Sequence, residues 1–406
     1  MSRFLQLEQL PADPILSIAT LFQADPRPFK VNLGIGAYLD ETLRPVVMEA
    51  VTQAEAKLFS RQLDKEYAPI GGQPQFCKLI SELLIGEALS AQLQGDLVAL
   101  QTVGGAGGLY LAGRLLQQLG HQQIHLPDPT WANHAPLFHT STIEAVSYPY
   151  FDPQSHALRF EALCDYLEQL QPESAVLWHG CCHNPTGVDP TSSQWDQLLE
   201  IIARKRLLPL FDLAYIGLGE GWEVDCEPVR RFLVELPDLL LTFSCSKSFG
   251  LYGERLGLLL VKTSSRQAIA PIESQLYRMA RSTYSNPPRH GAQIIEELLG
   301  DSQLRVSWAT QLEEMRQRVY AMREKLSVAL ETKVPERSWG WMKKEKGFFS
   351  LLGLTPEQVL LLRKEQAIYM PSSGRINVAG LAPSQIEYVA EAIARTVKQP
   401  LVIHSH

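Results

Sequence analysis

The sequence predicts an α/β protein of two lobes, a large domain with a mostly parallel sheet between helices and a smaller α+β domain. Three observations carry this expectation. From about residue 95 to 265, short apolar runs alternate with amphipathic stretches of helix length, the signature of a parallel sheet covered on both faces. After residue 300 the texture changes to a long charged helix followed by short strand-like pieces. And 406 residues, 45% hydrophobic and 20% charged, suffice for a large core and a second lobe.

Taken in order, "DLVALQTV", "QIHLPD", "EAVSYPY", "SAVLWHG", "LLPLFDLAY", "DLLLTFS" and "RLGLLLVK" read as strands. Between several of them lie "GGLYLAGRLLQQLG" and "TSSQWDQLLEIIARKR", whose apolar residues recur at three- and four-residue steps, as a half-buried helix requires. The later part begins with "LRVSWATQLEEMRQRVYAMREKLSVALE", a long amphipathic helix. It continues through "GFFSLLG", a helix over 356–366, the strand-like "GRINVAG" and a last helix. The division expected is 1–45 as an N-terminal segment completing part of the small domain, 46–302 as the large domain, and 303–406 as the small C-terminal domain.

Bulk chemistry excludes several functions. With 37 basic against 44 acidic residues the chain has a net charge of −7, which argues against a nucleic-acid partner. Six cysteines without CxxC spacing, two of them adjacent, and an N-terminus without an apolar signal stretch predict a reduced, cytoplasmic protein. No apolar run approaches the roughly 18 residues of a membrane span.

In a parallel sheet, ligands sit beyond the C-terminal ends of the strands, and there the sequence places its chemistry. "TVGGAGG" leaves a strand and opens a helix, so it is either an ordinary turn or an anion site built from backbone N–H groups. Trp131 follows a strand and serves as core or as a stacking plate; Asn184, before a proline, serves as turn former or hydrogen-bond donor. Asp212 and Tyr215 end a very apolar strand, where a carboxylate needs a partner unless it only caps a helix. Lys247 stands among Ser244, Ser246 and Arg255. Together these strand ends offer a phosphate cradle, an aromatic plate, an amide, a phenol, a buried acid and one lysine, which is what pyridoxal phosphate needs.

With those residues in view, the sequence resembles the class I (fold type I) pyridoxal-phosphate aminotransferases of the aspartate and aromatic amino-acid group. The resembling stretches are "VNLGIGAYLDE", "YAPIGGQPQF", "DPTWANHAPLF", "HGCCHNPTGVDP", "LFDLAYIGLGEG", "SCSKSFGLYGERLG", "YSNPPRHGA", "GFFSLLGL" and "SGRINVAGL". Each is modestly specific; the nine in this order are very specific.

The resemblance implies transamination of aspartate, and of aromatic amino acids, with 2-oxoglutarate by a ping-pong mechanism through a Schiff base on Lys247, which also moves the substrate proton. The alternatives are a primarily aromatic aminotransferase, or a lyase or decarboxylase on the same fold. It further implies that Asp212 pairs with the pyridinium nitrogen with His134 behind it, that Tyr215 and Asn184 bond the ring oxygen, and that Trp131 stacks on the ring. The phosphate falls to Gly105, Ala106, Ser244, Ser246 and Arg255, with Tyr67 reaching in from a second subunit of a homodimer. Arg375 would grip the substrate α-carboxylate, Arg281 of the neighbouring subunit its side-chain carboxylate, and Gly36 would lie against the substrate.

Several positions depart from the family pattern. Ala106 stands where serine or threonine is usual, and Thr283 where asparagine is usual, while Ala37, Leu39 and Glu66 fit neither the aspartate nor the aromatic type. These changes bear on substrate preference and leave the chemistry untouched.

Overall fold

The structure, a computed structural model, describes residues 2–9, 16–62 and 64–398. Its centre is a seven-stranded sheet. In chain order the strands are β1 (Leu97–Val103), β2 (Gln123–Asp128), β3 (Glu144–Pro149), β4 (Ala175–His179), β5 (Leu208–Leu213), β6 (Leu239–Ser244) and β7 (Leu256–Lys262). They lie side by side as β1-β7-β6-β5-β4-β2-β3, parallel except for β7, which runs against both its neighbours.

The sheet is covered on both faces, and the central strands show how the sequence encodes this. Every residue of β6 and of β7 is buried. Leu239, Leu241 and Phe243 of β6 enter one core with Trp195, Phe232 and Trp308, while Leu240 enters the other with Leu115 and Leu276. In β7, Leu256, Leu258 and Leu260 take the first side, and Leu259 and Val261 the second. Successive side chains point to opposite faces, so a strand between two cores reads as an unbroken apolar run.

A further core gathers Val31 and Leu33 with Met322, Leu326, Leu330, Leu362, Ile376, Val389 and Ile393. Val31–Asn32 pairs in parallel with Ile368–Tyr369, so N-terminal chain is built into this C-terminal lobe. The helix Ser302–Lys333 belongs to both bodies. Its first part packs Leu304, Trp308, Leu312, Met315 and Val319 into the sheet's core, and its second part packs Met322, Leu326 and Leu330 into the other. Asp301 caps its start, accepting from the backbone N–H of Gln303 at 2.8 Å and of Leu304 at 3.2 Å. Among the described residues no helix is long and apolar enough to cross a membrane.

Candidate active site

One edge of the sheet collects the ends of β1, β4, β5 and β6 and the start of the antiparallel β7. Register fixes the neighbours: Leu256 lies opposite Val103, Gly257 opposite Ser244, and His179 opposite Asp212. Gly257 has no alternative, since a Cβ there would come within 2.6 Å of the Gly104 carbonyl carbon.

From β1 the chain turns directly into the helix Gly104–Gln118. The run "TVGGAGG" is expected to leave a strand and open a helix, and helical structure begins within it, at Gly104. No side chain caps this end. A Cβ on Gly104 would lie 2.4 Å from Arg255, and one on Gly105 would lie 3.1 Å from Ser244, so small residues bring the helix start against that wall. Ser244 accepts from the Ser246 N–H at 3.3 Å, and Arg255 reaches toward Ser246 Oγ at 3.5 Å. Uncapped backbone donors, two hydroxyls and a guanidinium thus meet at one point, a donor set suited to a phosphate.

Asp212, 7% exposed, is held from behind. His134 Nε2 donates to its Oδ2 at 3.1 Å, and Thr130 Oγ1 is 2.7 Å from His134 Nδ1 and 3.2 Å from His179 Nε2. Because a carboxylate only accepts, this chain fixes which ring nitrogen of His134 carries the proton toward it. Burial pushes the Asp212 carboxyl up, but the His134 hydrogen bond and the charge of Lys247 outweigh it and hold it below the ordinary value. Burial drives the His179 imidazole down to about 3 and pushes that of His183 well below its ordinary value.

Lys247 sits in the short helix Cys245–Ser248 that follows β6, with Nζ 4.8 Å from the centre of the Tyr215 ring. Burial lowers its amine from 10.5 to about 8, Arg255 adding to the fall and Asp212 opposing it. A lysine so placed is a nucleophile close to neutral pH. Acetylation of Lys247 in cofactor-free protein is therefore expected to rise through a midpoint near pH 8, read by peptide mass spectrometry, well before the surface lysines react. A midpoint near 10.5 contradicts the burial argument.

Arg375 enters from the C-terminal lobe, 5% exposed. Its Nη2 donates to the Gly34 carbonyl at 2.9 Å and its Nη1 to Asn184 Oδ1 at 3.4 Å, while the ring of Phe349 lies 4.3 Å from its guanidinium carbon. Its Nε has no partner among the described residues. A buried guanidinium with a spare donor, facing a cavity, suits an incoming carboxylate.

These groups enclose a cavity of about 470 Å³, within the usual range for a small-molecule site. Its walls include Gly36, Gly105, Ala106, Trp131, Asn184, Asp212, Tyr215, Ser244, Ser246, Lys247, Arg255 and Arg375, with His134 behind. The donor cradle, the buried acid, the aromatic plate and the lowered lysine fit pyridoxal phosphate.

Tyr67 and Arg281 do not line it. Tyr67 is 86% exposed, and Arg281, also exposed, bonds Ser285 Oγ. They share one patch, because Asn286 beside Ser285 donates to the Ala68 carbonyl at 2.6 Å. Sequence reasoning missed Leu109, His179, Ala214, Tyr252 and Phe349, which also line the cavity. Tyr252 offered a weak signal, one large ring in a glycine-rich turn. Leu109, Ala214 and Phe349 are indistinguishable from core in sequence.

Comparison with known proteins identifies the family. Residues 28–393 match the family described as "Aminotransferase class I and II". The chain is 40% identical over 391 residues to the aspartate aminotransferase of Escherichia coli K12, covering 96% of this chain and 99% of that one. It is 39% identical over 396 residues to the aromatic-amino-acid aminotransferase of Pseudomonas aeruginosa, covering 97% and 99%. The solved structure of an aromatic-amino-acid aminotransferase from Burkholderia pseudomallei, covalently bound to pyridoxal phosphate, superposes with a TM-score of 0.94 at 40% identity, over 98% of this chain and 100% of that one.

Proposed function

Because this chain belongs to the class I and II aminotransferases, we propose that it exchanges amino groups between aspartate and 2-oxoglutarate, accepts aromatic amino acids as well, and works as a cytoplasmic homodimer. Its cofactor is pyridoxal phosphate. The observation that carries this reading is the convergence of Lys247, Asp212 and Arg375 on one cavity.

When bound, pyridoxal phosphate supplies an electron-withdrawing ring that acidifies the α-proton of an amino acid. The chain's own residues do the rest. Gly105, Ala106, Ser244, Ser246 and Arg255 hold the phosphate, and Trp131 covers the ring. Asp212, kept ionised and oriented by His134, holds a proton on the ring nitrogen. Tyr215 and Asn184 donate to the ring oxygen. Burial raises the Tyr215 phenol well above its ordinary value, so it stays a donor. Lys247 Nζ anchors the cofactor and, with its lowered affinity for protons, takes and returns the α-proton.

Arg375 grips the α-carboxylate, and Gly36 leaves room beside it. Tyr67 and Arg281 act in the partner's site, which is supported by their shared exposed patch outside their own cavity. The large domain 46–302 would carry the cofactor, and 303–406 with 1–45 would bring Arg375 to it.

The reading is tested by supplying aspartate alone: about one oxaloacetate per site should be released, and continued release should require 2-oxoglutarate. Continuous product formation without an oxo-acid would indicate a lyase. A second reading, a primarily aromatic enzyme, is favoured by the apolar residue types Ala37 and Leu39, at positions that the family resemblance puts near the substrate side chain.

A further inference from the structure

The helix Ser302–Lys333 carries an arginine that its amphipathic pattern does not explain. Arg323 is 1% exposed, and so is its ion-pair partner Glu345. Its Nη1 donates to Glu345 Oε2 at 2.9 Å and to Ser350 Oγ, and its Nη2 donates to the carbonyls of Gly347 at 2.6 Å and Phe349 at 3.2 Å. Ser350 Oγ in turn donates to Glu345 Oε2 at 2.5 Å. One guanidinium therefore spans the whole turn 345–350. Removing two charges from water is costly, and such pairs are often replaceable by apolar residues without loss of stability, so its value is better sought in the geometry it imposes.

That geometry ends at Arg375. The strand Phe349–Leu351 pairs with Arg375–Asn377, Leu351 opposite Arg375 and Phe349 opposite Asn377. The Phe349 ring also lies against the Arg375 guanidinium and faces Gly36, where a Cβ would be 3.6 Å from it. On the other side, the Lys346 N–H donates to the Gly187 carbonyl at 2.7 Å. Gly347, at φ +72°, packs so closely on Cys182 that a Cβ would fall 2.4 Å from the cysteine's own. The same turn thus locks the 182–187 loop that presents Asn184 to Arg375.

We propose that Arg323 is a positioning residue for the carboxylate site: it clamps the turn 345–350, and through that turn it sets both Phe349 and Asn184 against Arg375. The inference rests on the reading that Arg375 receives the substrate carboxylate.

Arg323→Met alone would orphan Glu345 and endanger folding. The test is therefore the double variant Arg323→Met/Glu345→Met, with Ser350→Ala as a milder lesion and Arg375→Lys as the reference. In each holoenzyme, the dissociation constant of maleate, an unreactive dicarboxylate, is measured together with KM and kcat for aspartate. Losing the partners that orient a site's ligating groups costs about tenfold or more. The double variant should weaken maleate and raise KM by that factor, with kcat falling less than about threefold, and Ser350→Ala should shift them in the same direction by less. A purely structural role would lower the melting temperature without this split. If Arg375→Lys weakens maleate and neither clamp variant does, the clamp is overturned. If Arg375→Lys itself leaves maleate binding unchanged, it is the carboxylate reading that fails.

Discussion

Replacing Lys247 with alanine is expected to abolish turnover while leaving a folded protein that still takes up cofactor. General acid–base steps alone contribute about 10² to 10⁴ in rate, and Lys247 has a second task as covalent anchor, so the loss should reach at least that range. Folding should not suffer. The amine lies in a buried site that lowers its proton affinity to about 8, which means its charge is disfavoured there. The phosphate cradle is made by other residues, so cofactor should remain bound, but removable by dialysis. Steady-state assay and the melting temperature, measured side by side, decide the matter. A variant retaining kcat within tenfold of the native value would refute the assignment.

The second large effect is expected at Arg281. Replaced by leucine, it should reduce kcat/KM for aspartate by at least about 30-fold, the usual scale for leaving a buried carboxylate without its partner, and for phenylalanine far less. Equal losses for both substrates would mean that Arg281 does not receive the distal carboxylate. The same variant also reports on assembly. Mixed and refolded with Lys247→Ala chains, it should regain aspartate activity at about a quarter of native sites, because half of randomly formed dimers are hybrid and each hybrid has one complete site. Hybrid dimers without activity would place Arg281 outside the partner's site.

How much could be read beforehand depended on whether the signal was local. The strands of the central sheet were legible because burial on both faces leaves an unmistakable apolar run, as in "LLPLFDLAY". The reversed direction of β7 was not, since strand polarity leaves no trace in composition. Asp212 and Lys247 stood out because a charge at the mouth of an apolar strand is costly and so needs a reason. His179 gave no such contrast, because its partner Thr130 is 49 residues away and met only through the fold. Arg323 was hidden for the opposite reason. In a helix rich in arginine and glutamate it looks like one more surface charge, and only the return of residues 345–350 buries it.

The helix Ser302–Lys333 serves two cores with one continuous rod, and this constrains how the gene can change. Each residue advances an α-helix by about 100°. Inserting or deleting a single residue between Val319 and Met322 would therefore keep the length nearly unchanged yet rotate Met322, Leu326 and Leu330 away from the lobe they fill. It would also swing Arg323 off its turn. Upstream, Trp308 stacks on Phe249 at 4.6 Å and donates to the Ser248 carbonyl at 2.9 Å, one residue from Lys247. The rod cannot simply turn to absorb the error. Point substitutions on its exposed faces can drift freely, whereas a change of length there is a frameshift in space, and related chains should vary in the sequence of this helix long before they vary in its register.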